Sequence, residues 1–153
     1  MLGCIAALLL LVIASWLLFI RDSGPIPRRY ARGLDFTLYY PTTLPQGYGV
    51  DRQSFKRQGN VLIFSIFAPQ NRNIAVSQQA IPLDMPVRQT TTTPLQIPGQ
   101  KQFSSAIGTV HIGLWGDKYV TDIVSEQTWI ILNTTGFTAN EATSIARSFN
   151  RAD

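Results

Sequence analysis

Nineteen consecutive uncharged and mostly apolar residues open the chain, Leu2 to Ile20 (LGCIAALLLLVIASWLLFI), and the first charged side chain is Arg21. At about 1.5 Å per helical residue the run covers close to the ~30 Å hydrocarbon thickness of a bilayer. Every face of such a helix is apolar, so residues 2–20 read as a transmembrane anchor rather than a helix laid on a core. A cleaved signal peptide has a basic start, a shorter apolar stretch and small residues before the cut. Here no Lys or Arg precedes the run, and Arg21, Asp22, Pro25 and Pro27 follow it. Trp16 suits the headgroup level at the end of the span.

Beyond the span the pattern changes. Residues 21–33 (RDSGPIPRRYARG) hold two prolines, two glycines and four arginines, which reads as a basic juxtamembrane linker. From residue 34 to 150 the periodicities are those of one small domain. Residues 34–40 alternate as a half-buried strand and end in a turn at Pro41 to Gly47. Residues 50–57 and 61–68 flank Gln58-Gly59-Asn60 as a hairpin, and the near-continuous apolar run from Val61 to Phe67 marks a central strand. Residues 74–78 form a further strand. Residues 81–100, with Pro82, Pro86, Pro94 and Pro98 around four consecutive threonines, read as a long irregular crossing loop.

The last third is the most regular. Val110, Ile112 and Leu114 alternate with Thr109, His111 and Gly113; Gly116-Asp117 turns the chain into 118–124, and 128–132 is a third strand. Thr138 and Glu141 have capping-box spacing, and Ala142, Ile145, Ala146 and Phe149 fall at i, i+3, i+4 and i+7. That predicts a helix over 138–150 with one apolar stripe. The expected fold is α+β: an N-terminal transmembrane helix, then a small antiparallel sheet of six or seven strands with one C-terminal helix packed on it.

Charge refines the picture once it is divided. The net charge is +4. Arg21, Arg28, Arg29 and Arg32 against Asp22 give residues 21–32 a net +3, whereas residues 33–153 carry nine bases and eight acids. The domain is therefore nearly neutral. It has no stripe of basic and aromatic residues for a nucleic acid. The arginine cluster is expected to meet anionic lipid headgroups. The positive-inside rule alone would hold that cluster in the cytoplasm. Only three lysines in residues 33–153, together with abundant Thr, Gln, Asn and Ser, favour an extracytoplasmic domain.

Candidate chemistry is sparse. Cys4 is the only cysteine, which excludes an intrachain disulfide and a multi-cysteine metal site, and it stands at the start of the apolar run, whereas a lipoprotein box comes after such a run. His111 is the only histidine. By alternation it lies opposite Val110 and Ile112, facing water or a neighbouring strand, and Asp117 and Asp122 beside the same hairpin read as solvated carboxylates. There is no phosphate loop, nucleophile elbow or dense acidic loop. No catalytic, cofactor-binding or metal-binding residue is assigned. Tyr39, Tyr40, Tyr48, Trp115, Tyr119 and Trp129 read as core and its margins, with a ligand groove as the alternative.

Leu44-Pro45-Gln46-Gly47-Tyr48, an L-P-x-G-Y turn after the first strand, resembles uncharacterised bacterial extracytoplasmic domains that follow a membrane anchor, some of them attached to anti-sigma factors. Trp115, Tyr119, the strand 128–132 and the closing Glu141-Ala142-x-x-Ile145-Ala146-x-Ser148-Phe149 are similar to their final strand and helix. The resemblance implies a relation to sigma-regulator and lipoprotein-sorting folds, which present a curved sheet to lipid or protein. The sequence thus leads to the expectation of a membrane-anchored, non-enzymatic envelope module that binds or senses protein or lipid. The alternative is a structural subunit of an envelope, secretion or pilus-type complex.

Overall fold

In the computed structural model, residues 24–82, 100–116 and 118–152 are described. The span predicted over residues 2–20, most of the crossing loop and Asp117 lie outside them. Among the described residues no helix is long and apolar enough to cross a membrane.

Seven strands form one antiparallel sheet: β2 (Gly49–Gln58), β3 (Val61–Ala68), β4 (Arg72–Ala80), β5 (Lys101–Ser104), β6 (Thr109–Trp115), β7 (Lys118–Ser125) and β8 (Thr128–Thr135). Their spatial order is β2-β3-β4-β8-β7-β6-β5. Two short strands, β1 (Tyr39–Pro41) and β9 (Phe149–Arg151), pair with each other antiparallel. Among the described residues the one longer helix, α2 (Ala139–Arg147), packs on the sheet, over β6 and β7. A one-turn helix, α1 (Arg28–Ala31), lies against β2. The antiparallel sheet with one packed helix is the expected architecture.

Alternation sorts the side chains. In β3, Leu62, Phe64 and Ile66 are fully buried, while Val61, Ile63 and Ser65 are half-buried and point the other way. Register carries the buried set across the sheet, so that Phe64 stands beside Val76, Val76 beside Leu132, Leu62 beside Gln78 and Ile130 beside Ile123. Ile145, Ala146 and Phe149 cover that face from above. Tyr30 stacks on Phe55 at 6.0 Å, and Phe55 on Phe64 at 5.0 Å. At about 25 cal/mol per Å² of apolar surface, this aromatic file and the aliphatic centre are the main source of stability in the domain.

Several elements differ from the sequence expectation. The strand predicted over 34–40 shortens to Tyr39–Pro41, because Leu38 and Tyr39 pair with the chain end and with a side chain instead of joining the large sheet. The helix predicted over 138–150 ends at Arg147. Ser148 caps it by donating to the Ile145 carbonyl at 2.7 Å, and Phe149 is a buried strand residue, the i+7 spacing notwithstanding. The stretch read as a tether contributes Ile26, 6 % exposed, to the core, and its end is fastened to β2 by Arg57, which donates to the carbonyls of Arg32 and Gly33.

Polar groups fix the remaining geometry. The Gln78 side chain accepts from the Tyr39 amide at 2.9 Å and donates to the Tyr39 carbonyl at 2.7 Å. The Tyr39 hydroxyl and the Ser125 hydroxyl share a 2.6 Å hydrogen bond, and Thr128 donates to the Thr37 carbonyl at 2.7 Å. Together these hold β1 over the middle of the sheet without a backbone ladder between them.

Candidate functional site

Four places on the domain carry polar chemistry or exposed apolar surface. The first follows from the two-residue turn after Trp115. Trp115 pairs with Lys118, so counting back along both strands sets His111 opposite Asp122. They lie on the sheet face away from α2. There the His111 Nδ1 is 3.6 Å from an Asp122 carboxylate oxygen, which also accepts from the Trp129 indole at 3.3 Å. His111 is 2 % exposed and Asp122 1 %. The expectation of a solvated Asp122 is therefore corrected: the flanking strands and the indole remove it from water. Among the described residues neither ring nitrogen of His111 has a hydrogen-bond partner. A carboxylate beside an imidazole is the arrangement that orients a general base. Acid–base work also needs a reacting atom in contact with the ring, and this imidazole is closed to solvent. The two side chains are buried side by side on β6 and β7, in contact at 3.6 Å without a hydrogen bond between them.

The second place is the start of α2. Glu141 receives the Thr138 amide at 2.8 Å, the Tyr48 hydroxyl at 3.0 Å and an Arg72 guanidinium nitrogen at 2.9 Å. The Thr138 hydroxyl in turn accepts from the Glu141 amide, which completes the predicted capping box. Arg72 also donates to the carbonyls of Gly136 and Pro69, and its guanidinium lies 4.4 Å from the centre of the Phe137 ring. The Thr138 amide bond, then Arg72, pull the Glu141 carboxyl down to about 2. The same contacts raise Arg72, and desolvation together with Glu141 raises the Tyr48 phenol. Every strong donor is already engaged within the protein. This network is a clasp between the β3–β4 turn and α2.

Third, a shallow cleft of about 460 Å³ runs beside α2, lined by Thr43, Asn140, Thr143, Ser144, Arg147 and Ser148. Its one cation, Arg147, lies 4.9 Å from the centre of the Phe103 ring. The cleft offers hydroxyls but no converging set of ligating groups. Among the described residues no three His, Cys, Asp or Glu side chains come together as a metal site.

Fourth, the large apolar side chains exposed among the described residues are Phe67, Leu114 and Trp115, and all three stand at one end of the sheet. Phe67 pairs with Asn73 on one side and Gly49 on the other, and Trp115 pairs with Lys118, itself opposite Thr135. The Phe67 ring lies directly over Gly49, where an added Cβ would stand 2.3 Å from it. The described chain begins beside β2, where the Gly24 carbonyl accepts from the Arg52 side chain at 3.0 Å. Arg28, Arg29 and Arg32 are exposed along that edge, and the Arg29 guanidinium lies 4.8 Å from the centre of the Tyr30 ring. Arg21 lies outside the described residues.

The chain matches no family model, no curated protein and no solved structure. Its reading rests on its own residues. The six aromatics expected at the core and its margins, or in a groove, do not gather into one place: Tyr39 is in the core, Tyr40 stacks on Phe64 at 6.3 Å, Tyr48 meets Phe137, Trp129 is buried on the opposite face, Tyr119 is half-buried opposite Leu114, and Trp115 is exposed at a hairpin tip. Sequence reasoning missed the His111–Asp122 pair. The signal was present in the Gly116-Asp117 turn, which fixes the register of every pair behind it.

Proposed function

We propose that this chain is a single-pass membrane protein whose domain is held at the extracytoplasmic surface as a non-enzymatic binding or sensing module for protein or lipid. The observation that carries the reading is the junction of the apolar run and the domain. Only four residue steps separate Ile20 from Gly24, and Gly24 is fastened to β2 by Arg52. Four steps reach at most about 14 Å, so a span ending at Ile20 keeps the sheet close to the headgroups, with Arg28, Arg29 and Arg32 near them. The burial of His111 and Asp122 supports a role without acid–base turnover, and the L-P-x-G-Y turn at residues 44–48 supports an envelope location.

Two measurements on the full chain test this. Resistance to alkaline carbonate extraction is expected for the span, and release into the supernatant would remove it. Protease added to intact spheroplasts is expected to digest the domain. Protection until the membrane is permeabilised would place the domain on the cytoplasmic side and overturn the topology.

A further inference from the structure

We infer that the border of the sheet formed by α1 and β2 is a binding surface for the phosphates of anionic lipids, so that the domain stands edge-on to the bilayer holding its anchor. The inference rests on the proposed span at residues 2–20 and adds a second contact to it, made by the folded domain itself.

The fold gathers like charge at this border. Residues 24–35 and 49–60 hold six bases, Arg28, Arg29, Arg32, Arg52, Lys56 and Arg57, against two acids, Asp35 and Asp51. All six bases are exposed. The other described residues carry five bases and three acids, spread over the remaining strands, their turns and α2. The two carboxylates at the border take neutral donors: Asp35 accepts from the Asn60 side-chain amide and Asp51 from the Gln53 backbone amide. Among the described residues no carboxylate is in ion-pair contact with Arg29, Arg32, Lys56 or Arg57. Arg57 places its three guanidinium nitrogens on the carbonyls of Gly59, Arg32 and Gly33, so the backbone brings residue 32 against the Arg57 charge. Like charges held together repel, and a layer of phosphates relieves that repulsion.

Position decides which anion this is. The Gly24 carbonyl is bound to Arg52, and the Arg32 and Gly33 carbonyls are bound to Arg57. Residues 24–33 are thus fastened to β2 at two points, and the border as a whole lies beside the start of the domain. Four residue steps from Ile20 to Gly24 reach at most about 14 Å, so an anionic leaflet is within reach of these side chains on every copy of the chain. Each basic residue close to such a leaflet favours the docked state by about fivefold. A diffusing acidic partner would have to compete with a surface that is always present.

The test uses the full chain with Cys4→Ser and one fluorophore, at Gln53→Cys on the basic border or at Gln102→Cys on β5. These borders are six strand spacings apart, about 29 Å. Both positions are exposed, as are Gln58 and Ser104, where Gln58→Cys and Ser104→Cys serve if a first choice fails to fold. Nanodiscs contain phosphatidylcholine with or without phosphatidylglycerol, and a headgroup-nitroxide lipid quenches the dye at short range. With phosphatidylglycerol, quenching is expected to be several-fold stronger at 53 than at 102. Omitting that lipid, or combining Arg29→Gln, Arg32→Gln and Lys56→Gln, is expected to remove most of the difference. Equal quenching at both borders, in protein retained by the discs, would overturn the basic surface and leave the anchor standing. A difference that persists in both controls would show that the tether alone sets the orientation, and would overturn the lipid recognition. Protein not retained by the discs would overturn the span and this surface with it.

Discussion

Gln78 holds the main chain of Tyr39 from both sides, accepting from its amide and donating to its carbonyl across 39 residues of sequence. A side chain thereby does what a neighbouring strand would otherwise do. Gln78 has no exposed surface, so its removal strands two buried backbone groups. Gln78→Leu is expected to destabilise the domain by about 2–4 kcal/mol, since each unsatisfied buried group costs ~1–3 kcal/mol. Chemical denaturation of the full chain in detergent checks this. A loss under 0.5 kcal/mol (about one third of a typical hydrogen-bond penalty) would show that β1 is held by something else.

Glu141 gives a pH dependence with a defined direction. Its folded carboxyl titrates at about 2, below the usual 4.5, so its contribution is complete above about pH 4.5 and fades as the pH falls through about 2. Arg72→Met removes one of the causes but leaves the Thr138 amide bond. The Glu141 midpoint should rise and still remain below 4.5. Carbon-detected NMR titration of the side-chain carboxyl reads it directly, and an unmoved midpoint in the variant would contradict the clasp.

Gly108 permits a close backbone approach to the end of β7. A Cβ there would lie 2.2 Å from the Val124 carbonyl oxygen, and its φ of 154° adds strain for any other residue. Gly108→Ala is expected to cost at least ~1–3 kcal/mol, as overpacking does. The thermal midpoint should fall by several degrees. Gly59→Ala is the comparison at a turn with positive φ but open space, and it should fall less.

His111 leads to an expectation of the opposite sign. Among the described residues its buried ring nitrogens have no hydrogen-bond partner, and the Asp122 carboxylate keeps the bond from the Trp129 indole without it, so an apolar replacement removes an unsatisfied burden. His111→Leu is expected to leave the melting temperature unchanged or to raise it. A drop of many degrees would mean that the imidazole is held by a polar contact of real strength.

What was legible from sequence follows from locality. The hairpins at Gly59 and Gly116 were readable because a tight turn with alternating flanks fixes both strands, and the Thr138–Glu141 box announced α2 within three residues. The β4–β8 pairing is not readable, since it joins residues 48 to 58 positions apart and no local pattern encodes that choice. Strand β5 was hidden because Lys101 to Ser104 offers one apolar residue, Phe103, and takes its conformation from pairing with β6. Phe149 fits the helical stripe in sequence because i+7 spacing and a strand both bury it. The Arg72–Glu141 contact spans 69 residues, so only the fold reveals it.

One border of the large sheet has a consequence for assembly. Strand β2 is interrupted in register between Asp51 and Lys56, and the segment ending at Gly33 is strapped along it by Arg57. The far border is only four residues long and begins with a lysine. Irregular, charged or abbreviated margins deny an incoming extended segment the row of amides it would need. Copies of this domain brought close together are thus guarded against zipping together through their backbones, and can stand side by side as separate bodies.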